Sequence, residues 1–452
     1  MVATEVRSTQ NSWLDAIISD ERFWPAPPQT LAETGLPASA LEALVCKHLA
    51  VSGTASGRNL ADQIGLPFRI LEDVFGALRT QQIIVHASAA PFNDFYYLLT
   101  EQGRQRARAY QAAGAYVGTA PVTLMDYVVS VEAQCISTEA PTDNDLRQAC
   151  TGISVEEGLF DRIGPAVNSG AGMFLYGAPG NGKSTLARAI TLCFGQEIWI
   201  PRAITEDGQI IKLFDASCHR PVTETSTGVF KLREYDHRWV RIRRPTVVVG
   251  GELTMDGLEL RHDPTSNVSE APLQMKSNGG CLVIDDFGRQ RIEPAELLNR
   301  WIVPLEEGHD FLTLPTGKKI QVPFEQLIIF STNLEPRELV DEAFLRRIPY
   351  KIELADPTED EFRDLFRLYA EKFGCPYHAD VVEELIERHY RRRGHALRRC
   401  HPRDLLKQVR SFCRYKNLPF EMRLDYLDAV LQSYFAVLFG DEPTPPATNA
   451  AT

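Results

Sequence analysis

The segment Gly177-Ala178-Pro179-Gly180-Asn181-Gly182-Lys183-Ser184 constrains this chain more than any other, because its G-x-x-x-x-G-K-S spacing serves one kind of geometry. The apolar run Met173 to Tyr176 precedes it, and Thr185 to Cys193 predicts a helix directly after it. A strand, a glycine-rich turn and a helix in that order imply an α/β fold. The glycines let successive backbone N–H groups turn inward on phosphates at the helix N-terminus, where the helix dipole favours anions. Lys183 would neutralise the β and γ phosphates of a nucleoside triphosphate, and Ser184 would ligate Mg²⁺.

About a hundred residues later a second apolar run, Cys281 to Ile284, ends in Asp285-Asp286. Acids at the C-terminal edge of a strand stand where an open α/β sheet holds its ligand. Asp285 would hold Mg²⁺, usually through water, and Asp286 would polarise the attacking water. A third run, Leu327 to Phe330, ends in Ser331-Thr332-Asn333, whose amide can orient that water. Two arginines, Arg346 and Arg347, follow the short helix predicted from Asp341, and His401 to Leu406 opens a helix in a C-terminal bundle.

With these motifs in this order, residues 146 to 438 resemble an AAA+ ATPase. The resemblance implies an ATP-hydrolysing enzyme with Walker A residues 177 to 184 and Thr185 on the nucleotide. It implies Walker B at Asp285 and Asp286, sensor 1 at Asn333 and sensor 2 at Arg403. A finger acting on the neighbouring subunit falls on Arg347, with Arg346 as the alternative, which implies a homo-oligomer, in this family a hexameric ring. The second Walker B acid is more commonly Glu in this family. Asp286 leaves both a slow switch and a fast motor open.

Phe311 to Val322 reads as two strands around Pro315-Thr316-Gly317, with Lys318 and Lys319 beside the turn. It resembles the pre-sensor-1 hairpin of MoxR-like, MCM-like and enhancer-binding AAA+ proteins, which points into the ring's pore. The stretch 196 to 278 is too long for a plain connection and is expected to be an insertion, with strands Ile198 to Ile204 and Gln209 to Phe214 flanking Asp207-Gly208. Within it Arg238, Arg241, Arg243 and Arg244 read as a solvated strand face. Residues 356 to 440 read as a helical lid, in which Arg388 to Lys416 holds eleven Lys/Arg against one acid, Asp404; 441 to 452 read as a disordered tail.

Residues 1 to 115 read as helix, turn-helix and a two-stranded wing, a winged helix, and 116 to 145 as a connector with a helix at Thr123 to Val131. Winged helices often bind DNA, so charge decides the reading. The segment carries nine Lys/Arg and eleven Asp/Glu, a net of -2, and the wing His86 to Asp94 has no Lys or Arg. That favours docking to protein over reading DNA. The whole-chain net charge of -12 excludes a surface built throughout to hold nucleic acid. Lys318 and Lys319 keep open a competing class, a DNA-associated regulator or loader in which nucleic acid enters the ring.

At 452 residues the chain has room for about three domains. Its nine cysteines include no Cys-x-x-Cys pair, which argues against a disulfide framework or a zinc ribbon. No apolar run approaches a membrane span of roughly 18 residues, and Met1 to Arg7 has no apolar core. A cytoplasmic protein is expected, acting on a protein client whose identity the residues do not reveal.

Overall fold

The computed structural model describes residues 22–153, 156, 158–195, 197–222 and 234–436. The expected tail, residues 1–21 of the N-terminal segment and the last residues of the lid lie outside them.

The N-terminal unit contains the helices α1 (Ala38–Ser52), α2 (Gly57–Ile64) and α3 (Phe68–Thr80). They pack on an antiparallel sheet of β1 (Thr54–Ser56), β2 (Ile84–Ala90) and β3 (Asp94–Leu99), in the order β1-β3-β2. The apolar face of α3 (Ile70, Leu71, Val74, Phe75, Leu78) is buried, as its spacing implies. Strand β1 has no sequence signal, since three residues are too few to show alternation. Helix α4 (Glu101–Ala113) closes this unit.

Residues 116–145, expected to be a connector, are structural. Strand β4 (Val122–Thr123) pairs in parallel with β7 (Ala203–Glu206), and α5 (Leu124–Ala133) is N-capped by Thr123. Together β4, β7, β8 (Gln209–Lys212), β12 (Val268–Glu270) and β11 (Arg261–Asp263) form a five-stranded sheet in the order β11-β12-β8-β7-β4. Its core takes Val122 and Tyr127 from the supposed connector, Trp199 and Ile211 from the inserted segment, and Leu312 and Ile320 from the hairpin.

The second sheet is entirely parallel. It joins β5 (Met173–Tyr176), β10 (Thr246–Val249), β13 (Cys281–Ile284), β16 (Leu327–Thr332) and β17 (Tyr350–Glu353) in the order β10-β13-β16-β5-β17. Side chains alternate faces. Leu175, Val283 and Ile329 pack against α6 (Asp143–Ala149), α7 (Leu159–Ser169) and α8 (Lys183–Ile190), while Phe174, Ile284 and Phe330 pack on the other side with Leu297 and Trp301. Strand β10 corrects one expectation. It lies inside 196–278, so that stretch is not a single insertion: inserted segments flank a strand of the main sheet.

The arginines of that stretch correct a second. Arg238 and Arg244 are buried rather than solvated. Arg238 pairs with Asp236 at 2.8 Å and donates to Thr34 O at 3.0 Å, which ties the N-terminal unit to the inserted segment. Arg244 pairs with Glu139 and donates to the carbonyls of Gln134 and Gly279. On the strand β9 (Trp239–Arg243) Arg243 alone of the four is exposed. Arg238 and Arg244 stay buried only because each acquires acceptors of its own, and Thr34 and Glu139 among them come from distant segments.

The hairpin is β14 (His309–Thr313) and β15 (Lys319–Pro323). Leu312, Leu314, Ile320 and Val322 are buried, and Lys318 donates to Glu206 at 2.9 Å and Asp207 at 2.7 Å. In this chain one side of the hairpin is thus packed on the inserted sheet and Lys318 is held beside the turn, while the turn itself, Pro315 to Gly317, is exposed.

The C-terminal helices are α14 (Glu359–Phe373), α15 (Ala379–Leu385), α16 (His401–Lys416) and α17 (Leu424–Ala436), preceded by the short helices α9 (Leu273–Ser277), α10 (Pro294–Arg300), α11 (Ile302–Glu307), α12 (Pro336–Leu339) and α13 (Glu342–Arg347) of the α/β region. Helix α14 starts in a capping box in which Thr358 and Glu361 exchange bonds with each other's backbone. Among the described residues no helix is long and apolar enough to cross a membrane.

Candidate functional site

Since β16 lies between β5 and β13, the three loops leaving their C-terminal ends meet. This is the sheet edge where α/β folds bind ligands. They line an open cavity of about 300 Å³, whose other wall comes from the C-terminal segment.

The loop after β5 needs its glycines. Gly177 has φ +134°, and a Cβ there would stand 2.4 Å from Leu354 O; Gly180 has φ +86°, and a Cβ there would meet Cys400 Sγ at 2.5 Å. Any side chain at either position collides with a neighbouring segment. Ala178 and Pro179 complete the turn, Pro179 to Thr185 face the cavity, and Thr185 is exposed at its rim on the first turn of α8.

Lys183 is buried, with its ammonium donating to Gly177 O (2.8 Å), Ala178 O (3.1 Å) and Asn333 Oδ1 (2.6 Å). Burial pulls its pKa below the ordinary lysine value, against the opposing pull of Asp286 and Asp285. Ser184 Oγ donates to Asp285 Oδ1 at 2.8 Å. These hard oxygens suit Mg²⁺, which takes one or two protein ligands beside phosphate and water. Among the described residues no group of three or more His, Cys, Asp and Glu could hold a metal by itself.

Asp286 is exposed and has φ +52°, a left-handed conformation uncommon for a residue other than glycine. Neighbouring bonds impose it. Phe287 N donates to Ser331 O at 2.7 Å, and Gln290 donates back to Asp285 O at 2.9 Å. The turn aims Asp286 at Asn333, whose Nδ2 stands 3.4 Å from Asp286 Oδ1. Asn333 thus bridges Lys183 and Asp286.

From α16, Arg403 reaches the cavity wall while its guanidinium pairs with Asp404 at 2.8 Å. Sequence reasoning missed its companions on that wall: Leu365, Tyr369, Arg399 and Cys400. Their only local signal is a basic run, and most of that run is answered by acids, as Arg399 is by Glu361 at 3.1 Å. Arg347 is not in the cavity. It lies on α13, paired with Glu306 at 2.6 Å, and Arg346 lines a separate cleft of about 830 Å³ with Tyr176 and Glu335.

Residues 358–433 match a family model described as a domain of unknown function (DUF8689). No curated protein matches the sequence. Among solved structures, a mutant of Thermotoga maritima RuvB is similar at 13% identity, over 62% of this chain and 70% of that one, with a TM-score of 0.38. NtrX from Brucella abortus in complex with ADP is similar at 15% identity, over 67% of this chain and 56% of that one, with a TM-score of 0.39. The geometry of the site therefore carries the functional argument.

Proposed function

We propose that this chain binds ATP with Mg²⁺ and hydrolyses it to ADP and phosphate, acting as an AAA+ ATPase. The observation that carries this reading is the convergence of Lys183, Ser184, Asp285, Asp286 and Asn333, drawn from three adjacent strand ends, on one cavity. The loop N–H groups hold the β phosphate and Lys183 neutralises charge that grows on the γ phosphate. Ser184 and Asp285 would hold Mg²⁺, which would supply positive charge to offset that of the phosphates. Asp286 orients and polarises the attacking water, and Asn333 keeps Asp286 and Lys183 in register.

In this reading Arg347 serves the cavity of an adjacent copy in a homo-oligomeric ring, consistent with its place outside the lining of the cavity of its own chain. The N-terminal unit, a winged helix by its order of helices and strands, docks a protein client that the ring remodels. Its acidic balance supports protein over nucleic acid.

The deciding experiment is ATP binding and hydrolysis by Lys183→Ala. Loss of both with an unchanged circular dichroism spectrum is expected. ATPase activity equal to that of the wild type would remove the nucleotide-site assignment.

A further inference from the structure

The lid touches the phosphate loop directly, through groups that neither bind phosphate nor carry charge. Cys400 N donates to Gly180 O at 2.9 Å, and Arg399 N stands 3.4 Å from Asn181 Oδ1. At its other end the Asn181 amide donates to Asp356 Oδ1 at 2.7 Å and approaches Leu354 O at 3.4 Å. Asp356 also receives the guanidinium of Arg398. Asn181 is 2% exposed, so its side chain works between segments of the protein and not on solvent.

Three segments therefore meet on one amide: the phosphate loop, the linker from β17 to the lid, and the lid at the start of α16. The amide's orientation is dictated chemically. Reversed, its carbonyl would face the Asp356 carboxylate and its NH₂ would face the Arg399 N–H, with both contacts repulsive. Arg403 lies three to four residues beyond the contacts at Arg399 and Cys400, about one helical turn away.

We propose that Asn181 is a positioning residue that couples the phosphate loop to the lid, so that loop conformation sets where Arg399 and Arg403 stand over the cavity. This rests on the nucleotide reading above and adds to it a connection between phosphate occupancy and lid position that bypasses the sensor arginine itself. A phosphate that draws the loop N–H groups inward rotates the same peptide units whose Gly180 carbonyl and Asn181 side chain hold Arg399 and Cys400. The lid then follows the loop because packed, hydrogen-bonded segments move as units.

The test uses the full chain. Titration with the fluorescent analogue mant-ATP comes first, since absence of binding to the wild type would overturn the nucleotide reading and the coupling with it. Hydrogen exchange of the amides of residues 399–406 is then followed with and without Mg²⁺ and ATPγS. In the wild type the nucleotide should slow this exchange. In Asn181→Ala, mant-ATP should still bind while the slowing disappears, and kcat should fall about tenfold with KM changed less, the scale of one lost hydrogen bond. Asn181→Asp, which sets a carboxylate against Asp356, should also lose the response. Adding Asp356→Asn restores a donor and an acceptor in reversed order and should restore it. This pair keeps the question open to test if the alanine variant folds poorly. Nucleotide-dependent slowing that persists in both single variants, or a double variant no better than Asn181→Asp, would overturn the coupling.

Discussion

Ser184 Oγ lies 2.8 Å from Asp285 Oδ1, across 101 positions of sequence. The contact joins the first turn of α8 to the residue after β13, and it sets two hard oxygen ligands side by side at the cavity. If Mg²⁺ binds there, Asp285→Asn should raise the Mg²⁺ concentration needed for half-maximal ATPase activity by about tenfold or more, as loss of a charged ligand does. A Mg²⁺ titration of wild type and variant at saturating ATP measures this, and superimposed curves would refute the assignment.

Arg347 is held by Glu306 in its own chain. Being partly exposed, the pair should add no more than about 1 kcal/mol to stability. Arg347→Ala should therefore fold normally and bind ATP as the wild type does, yet lose turnover by about 10³-fold if the arginine completes a neighbour's site. Mixing it with Asp286→Asn subunits should recover part of the activity at mixed interfaces. Full activity in Arg347→Ala alone would transfer the role to Arg346 or to no arginine on α13.

The clasp of Lys318 on Glu206 and Asp207 bears on the nucleic-acid reading. With Lys318 spent on these two acids and Lys319 the exposed cation remaining beside it, the hairpin tip offers few phosphate contacts. Duplex DNA should leave the ATPase rate of the full chain unchanged. Stimulation that Lys318→Ala/Lys319→Ala abolishes, and that fades steeply with salt, would instead put nucleic acid at the hairpin.

His401 predicts a pH dependence in the lid. It is buried at the start of α16 with Nδ1 3.0 Å from Tyr390 Oη, and burial, aided by the charge of Arg398, lowers its pKa to about 4. The unfolded chain takes up this proton near pH 6.5, whereas the folded chain resists it until about pH 4. Stability from the neutral ring is therefore complete above pH 6.5 and is lost as pH falls toward 4, by an amount on the order of 3 kcal/mol. Urea unfolding at pH 7 and pH 5 should show a smaller drop for His401→Gln than for wild type. Equal drops would remove His401 from the account.

The turn at 177–185 was legible in the sequence because a glycine-rich loop between a strand and a helix is a local device, which the spacing of its residues encodes by itself. Asp285, Asp286 and Asn333 were legible for a related reason, since each follows an apolar run whose end must reach a sheet edge. The helices after residue 356 were equally local. Adjacency was not. That β16 lies between β5 and β13, that β10 belongs to the main sheet, and that β4 joins a sheet with β7 are consequences of pairing between strands far apart in sequence. A short run of Val and Ile suits any neighbour of similar shape. The same limit governed charge. Arg238 and Arg244 looked like a solvated face because Asp236, Thr34 and Glu139 become their partners only through folding, and Arg399, Cys400 and Tyr369 became cavity walls only when the lid seated on Gly180 and Asn181. Local conformation and motif chemistry were determined by the sequence alone. Which strand neighbours which, and which cation meets which acid, was decided by tertiary packing, because those energies exist only between segments already brought together.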